Sequence, residues 1–441
     1  MSVSPSRAAA FDILLRVESK NAFADELLHS SAYAKLSAAD HGLATELVMG
    51  VLRWRSVLDE EIADRSSQKL ARLDPEVLIS LRLAAYQLLY LTRVPGRAAV
   101  NESVELVKRA RKKSAVPFVN AVLRNLDSVP KRSAAAAAAT AEELAQSFSH
   151  PLWLVERWVK QFGFAAAGDI CSHDQQVPPL SIRIHSDAAR DELHKAGVAL
   201  GLGRLLKSAH RVAAGDVHHT HGFREGMVTA QDEASQLVAL LVGDGSSFLD
   251  CCAAPGGKTR ILAERNPSAT VLAAELYPQR ARLLRKLVRA SNVQLIVADA
   301  RNFPVSTLFD RVLVDVPCSG TGTLARNPEI KWRLRPEDLT DLQGRQIAIL
   351  QAAVQHMAKG GRLVYSTCSL EREENQDVVE AVLSKDSAFH LIESRTRLAE
   401  LQAEGELVWT DLNSLADGPY LRTIPGIHPC DGFFAAIIEK V

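Results

Sequence analysis

Two stretches of this chain carry a cysteine where a nucleophile could work. One reads Asp315-Val316-Pro317-Cys318-Ser319-Gly320-Thr321-Gly322, the other Tyr365-Ser366-Thr367-Cys368-Ser369. A lone cysteine is usually a small buried hydrophobe. Here both follow predicted strands at one edge of a sheet, beside a glycine-rich loop. The reactive species is the thiolate, a few per cent of a free thiol of pKa about 8.5 at pH 7, so a positive environment or a helix dipole should raise that fraction. Spacing alone does not say which thiol attacks first.

The neighbouring loop is Asp250-Cys251-Cys252-Ala253-Ala254-Pro255-Gly256-Gly257-Lys258-Thr259, between a predicted strand and a helix. Adjacent glycines turn sharply and let backbone approach a ligand, and the helix start beyond them offers unpaired N–H groups to a carboxylate. A phosphate-binding P-loop would need glycine where Cys252 stands, so that reading fails. A purely structural turn is the bland alternative. Against it stand three acids on successive strand ends. Glu275 lies about 20 residues past the glycines, where a carboxylate accepts ribose hydroxyls. Asp299 follows the third strand, placed for an adenine amino group, and Asp315 ends the fourth. Together they form a nucleoside-binding constellation.

These residues need a sheet to hold them. Strands are predicted at Ser247–Cys251, Thr270–Leu276, Gln294–Ala298, Arg311–Val316, Arg362–Ser366 and Phe433–Ile438, with helices such as Pro278–Ala290 and Pro336–Met357 between them. That alternation predicts a doubly wound, mostly parallel α/β sheet with its ligands at the carboxyl ends of the strands. Residues 5–127 instead read as almost wholly helical. Apolar residues recur at three and four positions, as in Val77, Leu78, Leu81, Ala84, Ala85 and Leu88, after an Asp74-Pro75 start. Four segments follow: a helical bundle over 1–132, an alanine-rich linker over 133–147, a small α+β subdomain over 148–240, containing a helix at Leu152–Phe162 and a strand at Leu180–Ile184, and the α/β domain over 241–441.

The 441 residues are 47% hydrophobic and 24% charged, enough to bury a core, and 52 basic residues balance 52 acidic ones. The balance is uneven along the chain: residues 70–132 hold 12 Lys/Arg against 5 Asp/Glu, centred on Lys108, Arg109, Arg111, Lys112 and Lys113. The cluster is either a solvated helix face or a nucleic-acid contact. The six cysteines follow neither a disulfide framework nor a zinc-binding spacing. The N-terminus lacks an apolar signal core, and no apolar run reaches membrane-spanning length. A soluble protein of the reducing cytoplasm is expected, with no metal and no membrane partner, as a monomer.

The segments Cys252–Thr259, Asp315–Gly322 and Ser366–Ser369 resemble the cofactor loop, Pro-Cys motif and Thr-Cys motif of the RNA cytosine-5 methyltransferases. Asn327-Pro328-Glu329-Ile330-Lys331-Trp332 and Asp431-Gly432-Phe433-Phe434 match that family too. The front, through Val94-Pro95, Val100–Val104 and Phe118–Leu123, resembles the RNA-binding factor NusB. The resemblance covers nearly the whole chain. It implies an all-α NusB-like bundle followed by a Rossmann-like S-adenosylmethionine-dependent methyltransferase domain. It implies that Cys252, Ala253, Ala254, Pro255, Gly256, Gly257, Lys258, Glu275, Asp299 and Asp315 contact S-adenosylmethionine. It makes Cys368 the covalent nucleophile toward carbon 6 of cytosine, Cys318 the thiol that assists release, and Asp315 the acid at N3. The family commonly has aspartate where Glu275 stands. The NusB-like front favours 16S rRNA as substrate. A tRNA methyltransferase sharing the core and a non-catalytic NusB-like RNA-binding protein are the rival readings.

Overall fold

The computed structural model describes residues 3–20, 22–129 and 138–441. The chain divides into two compact units, Met1–Val177 with Leu324–Arg333, and Pro178–Thr323 with Leu334–Val441.

The first unit is helical, as its periodicity predicts. Its principal helices are Pro5–Lys20, Ala38–Arg53, Arg55–Ala63, Pro75–Tyr90, Gly96–Arg109 and Val116–Asp127. Leu47, Leu58, Ile62, Leu81, Leu89, Val107, Val119 and Leu123 pack one core. Pro75 occupies the first turn of its helix, where its missing N–H costs nothing. Gly50 is required by packing: a Cβ there would lie 2.0 Å from the Tyr86 ring. Residues 133–137 of the expected linker lie outside the described residues. Residues 141–147 form a helix capped by the Thr140 side chain. With Leu152–Phe162 and Phe164–Asp174 they belong to this unit. The compact boundary therefore falls at Val177/Pro178, and the segment 148–240 is divided between the two units.

The ten residues Leu324–Arg333 complete the helical unit from far along the chain. Carbonyls of a helix's last turn have no intrahelical partner, and this segment supplies donors to them. Lys331 Nζ donates to Arg53 O at 3.0 Å and Trp332 Nε1 to Leu52 O at 2.6 Å. Arg333 donates to Val17 O at 2.8 Å and Ala22 O at 2.6 Å. At the other pole, the Glu329 carboxylate accepts from Ala24 N at 2.7 Å, where the helix Ala24–Leu28 starts. Lys331 is 1% exposed, and burial brings its pKa down to about 7, opposed by the charges of Asp174 and Cys171.

The second unit holds two sheets. Strands β1 (Ser181–Ile184), β2 (Ala199–Leu202), β3 (Ala209–Ala214) and β4 (Val228–Ala230) form an antiparallel sheet in the order β2-β3-β1-β4. The larger sheet contains β5 (Ser247–Asp250), β6 (Thr270–Glu275), β7 (Val293–Val297), β8 (Phe309–Asp315), β9 (Met357–Thr367), β10 (Phe389–Ile392), β11 (Ala416–Asp417), β12 (Tyr420–Thr423) and β13 (Phe433–Lys440). Its order is β11-β12-β13-β9-β8-β5-β6-β7, with β10 also paired to β13. The β7-β6-β5-β8-β9 half is parallel as expected; beyond β9 every pairing is antiparallel, so the sheet is mixed. Alternate residues face opposite sides. Val271, Leu313, Val364 and Ile437 pack on helices Glu233–Leu241 and Gly257–Arg265; Leu272, Val312, Val314, Leu363 and Ile438 pack on helices Pro336–Val354 and Gln376–Leu383. Burial on both faces makes these strands near-continuous apolar runs. No helix among the described residues is long and apolar enough to cross a membrane.

Candidate active site

The glycine loop leaves β5 and is strapped to both neighbouring strands: Cys251 N donates to Leu313 O and Ala253 N to Ala274 O, each at 2.9 Å. Gly256 has φ +116°, and a Cβ there would lie 2.5 Å from side-chain atoms of Leu284 and Val288. A Cβ on Gly257 would lie 2.9 Å from Gln231 Oε1. Gly256 excludes any larger residue, whereas at Gly257 the end of the Gln231 side chain would have to move, and the first N–H groups of helix Gly257–Arg265 follow at once.

Three carboxylates gather around this loop. Burial, and then the charges of Asp250, Asp315 and Glu275, push the Cys252 thiol well up. Glu275 is 4% exposed at the end of β6; Oε1 accepts from Tyr277 N at 2.9 Å and Oε2 takes no partner among the described residues. Asp250, absent from the expected site residues, is buried at the end of β5. Its Oδ2 accepts from Thr259 Oγ1 at 2.7 Å. Its Oδ1 is buried without a hydrogen bond among the described residues, the nearby Cys252 N–H favouring the charged form only slightly. Burial pushes this carboxyl up to about 7, against the Thr259 hydroxyl. The glycine cradle, a helix start and the open acceptor on Glu275 fit a nucleoside with an amino-acid tail.

Asp299 is engaged elsewhere. Its carboxylate takes Arg301 Nε at 3.0 Å and Nη2 at 2.6 Å, and that bond holds its pKa below the usual carboxylate range. A ligand amino group must share it with Arg301. Asp315, ending β8, accepts from Lys258 Nζ and Ser366 Oγ, each at 2.7 Å, and Lys258 also lies 5.2 Å from the Phe433 ring centroid.

The two motif cysteines do come together. Cys318 Sγ and Cys368 Sγ lie 3.2 Å apart, both partly exposed. Their loops are fastened through backbone. Val316 N donates to Ser366 O at 3.0 Å, Gly322 N to Cys368 O at 2.9 Å, and Gly432 N to Gly322 O at 2.8 Å. Gly322 and Gly432 meet backbone to backbone, since a Cβ on Gly322 would lie 2.1 Å from Gly432 O. This accounts for the glycine of Asp431–Phe434. The hydrogen bond to Cys368, burial, and the charges of Cys368, Glu374 and Asp315 push the Cys318 thiol well up.

The basic cluster lies at the end of helix Gly96–Arg109 and just beyond it. Lys108 pairs with Glu105, Arg109 with Asp12 and Lys112 with Asp74, at 2.7, 3.1 and 3.1 Å. Arg111, with φ +62°, and Lys113 are exposed. Among the described residues no group of three His, Cys, Asp or Glu could hold a metal ion.

Fold and site together define an S-adenosylmethionine-dependent methyltransferase class. Family comparison agrees. A model described as 16S rRNA methyltransferase RsmB/F matches residues 237–439, the NusB family matches 4–128, and the ferredoxin-like domain of RsmF/B-like methyltransferases matches 150–214. The probable ribosomal RNA small subunit methyltransferase B of Bacillus subtilis is 33% identical, covering 100% of both chains. The ribosomal RNA small subunit methyltransferase B of Klebsiella pneumoniae is 34% identical over 92% of this chain and 91% of its own. The crystal structure of PH0851 aligns over 100% of both chains with TM-score 0.80 at 24% identity. NSun6 from Pyrococcus horikoshii with SFG aligns over 66% of this chain and 98% of its own, with TM-score 0.55 at 20% identity. At those identities the two structures speak for the fold alone. The chain belongs to the RsmB/F family of RNA methyltransferases and carries a NusB domain at its front.

Proposed function

We propose that this protein methylates carbon 5 of a cytosine in 16S rRNA through a covalent Cys368 intermediate, in the cytoplasm. The relatives named for the small ribosomal subunit support the substrate. The observation that carries the chemistry is the pair of thiols 3.2 Å apart beside the glycine loop.

Carbon 5 of cytosine is too electron-poor to take a methyl group directly. Addition of the Cys368 thiolate to carbon 6 turns the ring into an enamine, nucleophilic at carbon 5. Asp315, which accepts from Lys258 Nζ at 2.7 Å, is the acid that hydrogen-bonds N3 during addition, its proton taken up from solvent. Cys252–Lys258, Glu275 and Asp299 would hold S-adenosylmethionine, which would supply an electrophilic methyl on its sulfonium. Cys318, kept protonated by the hydrogen bond to Cys368, burial and nearby carboxylates, stands 3.2 Å from the attacking sulfur. Once Cys368 is a thioether, its charge no longer holds the Cys318 proton. Cys318 loses its proton to solvent, takes the carbon 5 proton, and Cys368 leaves as thiolate.

Denaturing gels with labelled 16S rRNA and S-adenosylmethionine test this order. Cys318→Ala should accumulate a protein–RNA adduct; Cys368→Ala and the double variant should form none and methylate nothing. An adduct in Cys368→Ala alone reverses the roles, and activity in both variants without adduct removes the covalent mechanism.

A further inference from the structure

Behind the thiols lies a carboxylate that the reaction as written does not use. Glu374 is 0% exposed, at the end of a short turn that follows the Thr-Cys motif. Its Oε1 accepts from Ser319 N at 2.8 Å and from Gln346 Nε2 at 2.9 Å. Its Oε2 accepts from Ser319 Oγ and, at 2.5 Å, from Ser369 Oγ. Ser319 and Ser369 are the residues directly after Cys318 and Cys368, and their hydroxyls lie 3.1 Å apart. Gln346 also donates to Pro317 O at 3.0 Å, so both sides of Cys318 are held. Asn375 completes the set: its side chain accepts from Thr367 Oγ1 at 2.5 Å and donates to Ser369 O at 2.9 Å, on both sides of Cys368.

We propose that Glu374 is a positioning residue that ties the two cysteine loops into one rigid body and, by its charge, assigns the proton of the thiol pair to Cys318. This rests on the two-thiol reading. The four donors to its carboxylate are all neutral, and no cation pairs with it among the described residues. Burying a carboxylate without a counter-charge is expensive, and an amide could hold the same loops at lower cost. The charge therefore has a use beyond fastening, and the Cys318 thiol, one residue from the Ser319 that Glu374 holds, is a reacting group that feels it. The groups facing Cys318 are Cys368, Glu374, Asp315 and Tyr365. After the hydrogen bond to Cys368, burial and the charge of Cys368 itself, Glu374 is the next influence that keeps Cys318 a thiol.

Two variants of the full chain separate fastening from charge. Glu374→Gln keeps the shape and removes the charge. In a Cys368→Ser background, without RNA, iodoacetamide labelling of the Cys318 peptide is followed against pH by mass spectrometry. Glu374→Gln should move the onset of labelling down by about 1 pH unit. Glu374→Ala cuts the tie. It should lower kcat on the order of 10²-fold, because misplacement by about 1 Å costs that much, while S-adenosylmethionine affinity stays at the parent value. An unmoved labelling curve, an unchanged kcat in Glu374→Ala, or a parallel loss of cofactor affinity and melting temperature in Glu374→Gln overturns the proposal. If the Cys318→Ala parent gives no adduct, the two-thiol reaction is at fault instead, since the labelling curve involves no RNA.

Discussion

Lys331 in the helical unit and Asp250 in the sheet unit are both buried ionisable groups, and burial drives each toward neutrality from opposite sides. They differ in what their polar atoms meet. Lys331 spends its ammonium on the last carbonyl of a helix. Asp250 has one oxygen on Thr259 and the other without a hydrogen bond among the described residues, next to a loop that only glycine can form. Lys331 therefore belongs to the closing of helix ends, while Asp250 sits at the root of the loop that meets the ligand. The comparison sets a buried charge that finishes scaffold against one that shapes a cradle.

The cofactor side should break first. Gly256→Val places a side chain at φ +116° and against Leu284 and Val288. Strain and overpacking cost about 1–3 kcal/mol each, so S-adenosylmethionine affinity by calorimetry should fall about 30-fold or more. Wild-type affinity would show that the loop is not the cradle. Glu275→Ala should follow at about 1.5–3 kcal/mol, the worth of a hydrogen bond to a charged group, with the fold intact by circular dichroism; an unchanged isotherm removes the ribose assignment.

The smallest effects are linked to pH and have opposite signs. The Asp250 carboxyl keeps its proton to about 7 in the fold, against an ordinary value of 3.8. The unfolded chain loses that proton first, so stability falls as pH rises across this window, by at most about 1.4 kcal/mol per pH unit. Asp250→Asn should remove that slope. Lys331 has a folded pKa of about 7 against 10.5. There the unfolded chain holds the extra proton, so stability rises with pH across that window, and the advantage of Lys331→Met over wild type should shrink over it. Thermal melts of each variant minus wild type read both slopes; equal slopes in the two windows would undo the contrast.

Much of the cofactor side was legible because its constraints are local. A glycine pair follows an apolar run, and Glu275, Asp299 and Asp315 each stand at or just past the end of Thr270–Leu276, Gln294–Ala298 and Arg311–Val316. The helical front showed itself by its 3.6-residue period. What escaped notice joins residues distant in sequence. Glu374 grips Ser319 across 55 positions, and no periodicity announces a carboxylate that accepts from two loops. Strands of two to four residues, such as Ala416–Asp417 and Tyr420–Thr423, are too short to show alternation. Asn327–Trp332 read as part of a motif, but nothing local assigns it to the helices it completes.

That last feature sets an order of events during synthesis. The helices of the first unit are translated by Val177, yet the residues that finish their ends arrive only at Leu324–Arg333. At about 5–20 residues per second, the wait is roughly 8–30 s. The part of the protein begun first waits on a piece made much later: the nascent helices must persist with open ends while most of the sheet's parallel strands are being made.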